Sequence, residues 1–239
     1  MPGKLPTDTP QEPRTGDRQR ILILGGTAEA RELAGKLVAD GHEVTTSLAG
    51  RTADPVLPAG EIRIGGFGGA EGLAAYLREN AVSRIIDATH PFARRISENA
   101  IRAAAETGIV LEQVVRPRWQ KQPGDRWRQV TTLEQAAGLL PSGATVFLAL
   151  GRQYLDAFLP RVDCRFIIRM VDPPERPLGF FDHALVLGKP ASDPAREADL
   201  MTAHGITHLV ARNSGGPAGY AKIIAARELG LQVIMLERE

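Results

Sequence analysis

One cysteine, Cys164, stands among 239 residues, so this chain can build neither an intrachain disulfide nor a thiolate metal cluster. Aromatic residues are few, two Trp and three Tyr among them, and too scattered to form the stacking platform that single-stranded nucleic acid needs. An excess of either charge is lacking too. The formal net charge is +1, which gives no long-range field for a nucleic-acid partner. No apolar run approaches the roughly 18–20 residues that span a bilayer. Met1 to Arg20 is polar and Pro-rich, without the hydrophobic segment of a secretion signal. A cytoplasmic address, no membrane partner and no metal site are expected, with residues 1–18 as a disordered lead-in. Absent as well are G-x-x-x-x-G-K-[ST], H-E-x-x-H and G-x-S-x-G, which argues against P-loop kinases, zincins and α/β-hydrolases.

What is present is alternation. Arg20-Ile21-Leu22-Ile23-Leu24 is an unbroken apolar run that stops at two glycines, the pattern of a parallel strand buried on both faces. Ala30, Leu33, Ala34, Leu37 and Val38 then recur at helical spacing until Gly41. Further strands are predicted at 42–47, 61–64, 83–87 and 109–114, with helices at 71–80 and 93–107. In the second half, strands are predicted near 128–130, 144–148, 165–170, 183–187, 207–211 and 232–236. Helices fall near 133–140, 152–158, 194–204 and 218–229. This order implies an α/β protein of two Rossmann-like domains with parallel sheets and a cleft between them. Pro117, Pro123 and Gly124 break the rhythm, which places a hinge at 116–125. A coenzyme domain is expected over 19–116 and a substrate domain over 117–239.

The chemistry concentrates at strand ends. Gly25-Gly26-Thr27 lies between a buried strand and an amphipathic helix, where glycine lets a pyrophosphate approach and a helix offers free N–H groups. The third glycine of G-x-G-x-x-G is missing, so strand–turn–helix context carries the reading. NAD-binding units carry an acid near the end of the second strand. Here Ser47 and Arg51 take that place, and a hydroxyl with a guanidinium suits the 2′-phosphate of NADPH. Four glycines in five residues, Gly65 to Gly69, predict a loop pressed against a ligand, with Gly66 and Thr89 added to the coenzyme set. In Asp87-Ala88-Thr89-His90-Pro91-Phe92-Ala93, Pro91 fits the first turn of a helix. His90 is the candidate catalytic residue for proton transfer; capping the helix or binding a ligand carboxylate is its plainer role. Basic residues mark the second half at comparable places: Arg116, Arg118, Arg152, Arg169, Lys189, Arg212 with Ser214 and Gly215, and Lys222. Several cations on strand tips suit a small, multiply anionic ligand. These features alone serve equally an NADPH reductase of some other small anion, or a non-catalytic NADPH sensor.

Leu24-Gly25-Gly26-Thr27 with Glu29, then Asp87-Ala88-Thr89-His90-Pro91-Phe92-Ala93, Arg116-Pro117-x-Trp119, and Asn213-Ser214-Gly215-Gly216 with Lys222 resemble the precorrin-6A reductases of cobalamin biosynthesis. The resemblance runs from about Arg20 to Arg238. It implies an NADPH-dependent reduction of a carbon–carbon double bond in a tetrapyrrole fringed with carboxylates. It also implies coenzyme mainly on the first domain and transient contact with neighbouring pathway enzymes. The family often has lysine where this chain has Arg212, which keeps the charge but not the geometry.

Overall fold

The computed structural model describes residues 18–50, 56–217 and 219–238. Arg51 and most of the lead-in lie outside the described residues. Contacts divide the chain into two compact units, the first running to Val114 and the second from Val115. The segment 116–125 therefore belongs with the second unit. Among the described residues no helix is long and apolar enough to cross a membrane.

In the first unit the apolar run forms β1 (Arg20–Leu24), which lies at the centre because its last four residues are buried. Around it come α1 (Ala28–Ala39), β2 (Glu43–Leu48), β3 (Glu61–Ile64), α2 (Ala70–Glu79), β4 (Arg84–Asp87), α3 (Arg94–Thr107) and β5 (Val110–Gln113). The sheet order is β3-β2-β1-β4-β5, and every pair is parallel. Alternate β1 residues feed opposite layers. Ile21 and Ile23 pack with Ala30, Ala34 and Leu37 of α1. Leu22 and Leu24 pack with Leu73, Ala74 and Leu77 of α2 and Ala100, Ala103 and Ala104 of α3. Successive strand side chains point to opposite faces, so a double-sided apolar strand requires helices on both. The chain runs outward from β1 through β2 to β3, then returns to β4 on the other side, so the strand order reverses between β1 and β4.

The second unit contains β6 (Arg126–Val130), α4 (Leu133–Gly138), β7 (Thr145–Ala149), β8 (Arg165–Met170), β9 (His183–Leu187), α5 (Pro194–Ala203), β10 (His208–Arg212), α6 (Ala221–Glu228) and β11 (Gln232–Leu236). Its order is β6-β11-β10-β7-β8-β9, again parallel throughout. Here the order reverses between β7 and β10. Phe147, Ile167, Ala211 and Met235 of four neighbouring strands share one core with Met201 of α5 and Ile223, Ala225 and Ala226 of α6.

Three local expectations need correction. Residues 152–158 form two 3₁₀ turns, Arg152–Tyr154 and Asp156–Phe158, in place of one helix. The buried side chains there are Leu155 and Phe158, three apart, which is the period of the tighter turn. Pro91 does not open α3. The His90 carbonyl accepts from the Ala93 amide at 2.7 Å, and the helix begins at Arg94 with Ala93 as its cap. The last helix begins at Ala221, after Tyr220.

Candidate functional site

At the carboxyl end of β1 the chain turns on Gly25 and Gly26. The Gly25 amide donates to the Ser47 carbonyl at 2.9 Å, and a Cβ on Gly25 would stand 2.6 Å from Thr46 Cγ2. Gly26 adopts φ +102 with no heavy atom within 4 Å of where a Cβ would be. An L side chain is disfavoured there by the backbone, while the space above it stays open. Thr27 then caps α1. Its Oγ1 accepts from the Ala30 amide at 3.1 Å and donates to the Ala88 carbonyl at 2.9 Å. One hydroxyl thus closes the helix end and ties it to the tip of β4, across the point where the strand order reverses.

That tip is held by its own carboxylate. Asp87, 5 % exposed, accepts at Oδ1 from the Thr89 amide at 3.1 Å and the Thr89 hydroxyl at 2.7 Å. The Thr89 hydroxyl and amide are therefore both engaged with Asp87. His90 Nδ1 accepts from the Phe92 amide at 3.3 Å, which puts the proton of the neutral ring on Nε2. The glycine loop after β3 is pinned as well: Arg63 donates from Nη1 to the Gly65 carbonyl at 2.7 Å and from Nη2 to the Gly66 carbonyl at 2.9 Å.

In the second unit Arg152 follows β7, while Arg212, Ser214 and Gly215 end and follow β10, so these residues flank the reversal of that sheet. Lys189 lies beyond β9 and is exposed, as is Arg152. Arg169 is 9 % exposed, and its Nη1 contacts both oxygens of Glu197 at 2.8 Å. Glu197, in the first turn of α5, also accepts from the Ala191 amide at 2.8 Å. Arg169 is thus part of a buried ion pair, which its position at a strand end did not reveal. Arg212 lies over the Tyr154 ring at 4.7 Å. Lys222, 7 % exposed, donates to the Gly219 carbonyl at 2.6 Å and sits 5.3 Å from the Trp119 ring. Glu197, Arg169 and Arg212 all lie close enough to act electrostatically on Lys222.

Arg116-Pro117-x-Trp119 and Asn213-Ser214-Gly215-Gly216 prove to be two halves of one lock. Asn213 Oδ1 accepts from the Trp119 amide at 2.8 Å, and Nδ2 donates to the Trp119 carbonyl at 3.1 Å. Trp119 Nε1 donates to the Gly216 carbonyl at 2.6 Å. At Gly215, φ +68, a Cβ would overlap the Pro117 carbonyl oxygen. Arg116 is buried and its carbonyl accepts from Arg238 at 2.9 Å. Arg118 is half-exposed beside Glu237 at 3.7 Å.

Burial pushes the Lys222 amine down to about 8; Glu197 favours its charge, while Arg169 and Arg212 oppose it. A lysine depressed from 10.5 to about 8 sheds its proton first in the folded state. Between those values the unfolded chain holds more protons, so stability rises with pH through that window. The gain is at most roughly 3 kcal/mol. Denaturant unfolding of the wild type minus that of Lys222→Met, followed from pH 7 to pH 10.5, is expected to show this rise; parallel curves would overturn it.

The model of the family described as precorrin-6x reductase CbiJ/CobK matches residues 20–239. The precorrin-6A reductase of Rhodococcus erythropolis is 48% identical over 222 residues, which cover 92% of this chain and 89% of that one. The precorrin-6A reductase of Rhodobacter capsulatus is 46% identical over 220 residues, covering 92% and 88%. A solved structure titled CobK precorrin-6A reductase superposes with a TM-score of 0.89 at 45% identity, covering 92% of this chain and 88% of its own.

Proposed function

This chain belongs to the precorrin-6x reductase family, and from that premise we propose that it reduces precorrin-6A to precorrin-6B in cobalamin biosynthesis with NADPH as reductant. The observation that carries the coenzyme reading is the Gly25-Gly26-Thr27 turn, open at Gly26 and tied to Ala88 where the first sheet reverses. Dinucleotides bind at the carboxyl ends of strands at such a reversal. NADPH, when bound, supplies a hydride.

The residues fit that group. Gly25 lets the turn pack against β2 and Gly26 leaves room for a pyrophosphate at the amino end of α1, Ser47 stands near the end of β2 where it would meet a ribose, and Gly66 and Thr89 border the same edge. In the second unit Arg116, Arg118, Arg152, Lys189, Arg212 and Lys222, with the backbone at Ser214 and Gly215, supply the charge that acetate and propionate side chains of a tetrapyrrole require; Arg169, whose charge Glu197 takes up, drops out of that set. Their task is alignment, which is worth roughly 7–11 kcal/mol of barrier in favourable cases. His90 is the side-chain candidate for the proton given to the carbon beside the one reduced; it would act as the imidazolium, which requires Nδ1 to give up the Phe92 amide. Bound water is the alternative donor, and loss of less than about tenfold in kcat for His90→Gln would favour it.

Absorbance-monitored turnover of the purified chain with NADPH and precorrin-6A tests the activity; a colour change without NADPH consumption would defeat it. Gly26→Val tests the turn. A β-branched residue at φ +102 costs roughly 1–3 kcal/mol of strain and fills the open space. Coenzyme affinity is expected to fall by about 100-fold or more, some 2.7 kcal/mol, with the far-ultraviolet dichroism of a folded protein retained. An unchanged NADPH titration would remove this turn from the site.

A further inference from the structure

Arg63, the third residue of edge strand β3, carries no signature in the sequence, yet its surroundings are specific. It stands in register with Ser47 of β2, and paired residues of adjacent strands share a face. Its guanidinium carbon lies 3.9 Å from the Phe67 ring centroid and 5.3 Å from that of Tyr76. Phe67 in turn packs against the core layer beneath α2 and α3. The two bonds to Gly65 and Gly66 complete a flat, fixed cation, and the Gly66 bond is open to solvent.

Those partners are neutral. Among the described residues no ion pair offsets the Arg63 charge, although other arginines of the first unit, Arg20, Arg78 and Arg84, each meet a glutamate. A guanidinium carries five N–H donors, and two are spent on carbonyls. Three donors and a full positive charge remain at the carboxyl edge, one strand from Ser47. Held on Phe67, the group loses little rotamer freedom when an anion arrives.

We propose that Arg63 is a specificity-determining residue that, beside Ser47, recognises the 2′-phosphate of the coenzyme. The proposal rests on the NADPH reading above, and deepens it by naming a cation on the neighbouring strand.

The test is coenzyme affinity of Arg63→Met and, should that variant fail to fold, of Arg63→Gln, which keeps an amide NH2 group for the loop carbonyls but no charge. NADPH and NADH are titrated by fluorescence, with 2′,5′-ADP and 5′-ADP as fragments. The variant is expected to weaken NADPH and 2′,5′-ADP by about tenfold or more, some 1.4 kcal/mol. NADH and 5′-ADP should change by less than about twofold. The salt dependence of NADPH binding should also flatten toward that of NADH. Equal losses for all four ligands would make Arg63 a support of the glycine loop and overturn the proposal, as would no loss at all. A wild-type chain that binds neither coenzyme would instead defeat the NADPH reading itself.

Discussion

Asn213→Leu is expected to lower the unfolding free energy by roughly 3–5 kcal/mol, because leucine keeps the branched shape of asparagine but is bulkier and makes none of its hydrogen bonds. Asn213 is 1 % exposed. Its amide serves the N–H and carbonyl of Trp119 and reaches Glu237 at 3.1 Å. Removing it strands two backbone groups and takes one donor from a carboxylate. Each buried group left without a partner costs about 1–3 kcal/mol, against a total stability of about 5–15 kcal/mol for a typical domain. Urea unfolding gives the number directly. Gly215→Ala attacks the same lock from the other side, through a left-handed backbone and the Pro117 carbonyl, and should also destabilise. If Asn213→Leu cost less than about 1 kcal/mol, the two motifs would owe their pairing to something other than this contact.

Glu197→Gln is the second large effect. The glutamate is 1 % exposed and is the carboxylate that meets Arg169. Without it Arg169 and Lys222 stay buried and lose the carboxylate that favours their charge. Breaking one side of a buried ion pair costs about 3–5 kcal/mol, while replacing both sides with apolar residues of similar volume is often neutral or better. Glu197→Leu combined with Arg169→Met should therefore recover most of the stability that Glu197→Gln loses. A double variant as unstable as the single one would mean that the loss comes from the Ala191 amide and the packing of α5, with the ion pair a minor part. The glutamine variant should also push the Lys222 amine lower, because Glu197 favours its charged form.

The strand-end positions were visible in the sequence because they follow from local rules. Gly25 and Gly26 announce a turn, Thr27 announces a cap, and an apolar run with glycines at its end announces a buried parallel strand. What those positions do was less visible. The Thr27 hydroxyl reaches Ala88, 61 residues on, and Asp87 holds Thr89. Arg169 looked like a free strand-tip cation, and Glu197, 28 residues later on a helix, reads in the sequence as an ordinary acidic first-turn residue. Arg63 lacked any marker, since an arginine on an exposed edge strand is common.

Sequence by itself determined the element order, the two parallel sheets and the glycine turn, because side-chain period and backbone preference act over a few residues and need no partner. Tertiary structure alone decided which charges are neutralised. Whether Arg63 has no ion pair among the described residues while Arg169 is matched by Glu197 depends on which distant groups packing brings within 3 Å or so. Hydrogen-bond energy falls steeply beyond that distance, and solvent screening weakens exposed charge pairs that stay farther apart. Spacing along the chain cannot encode a contact between residues that the sheet and its helices bring together from far apart.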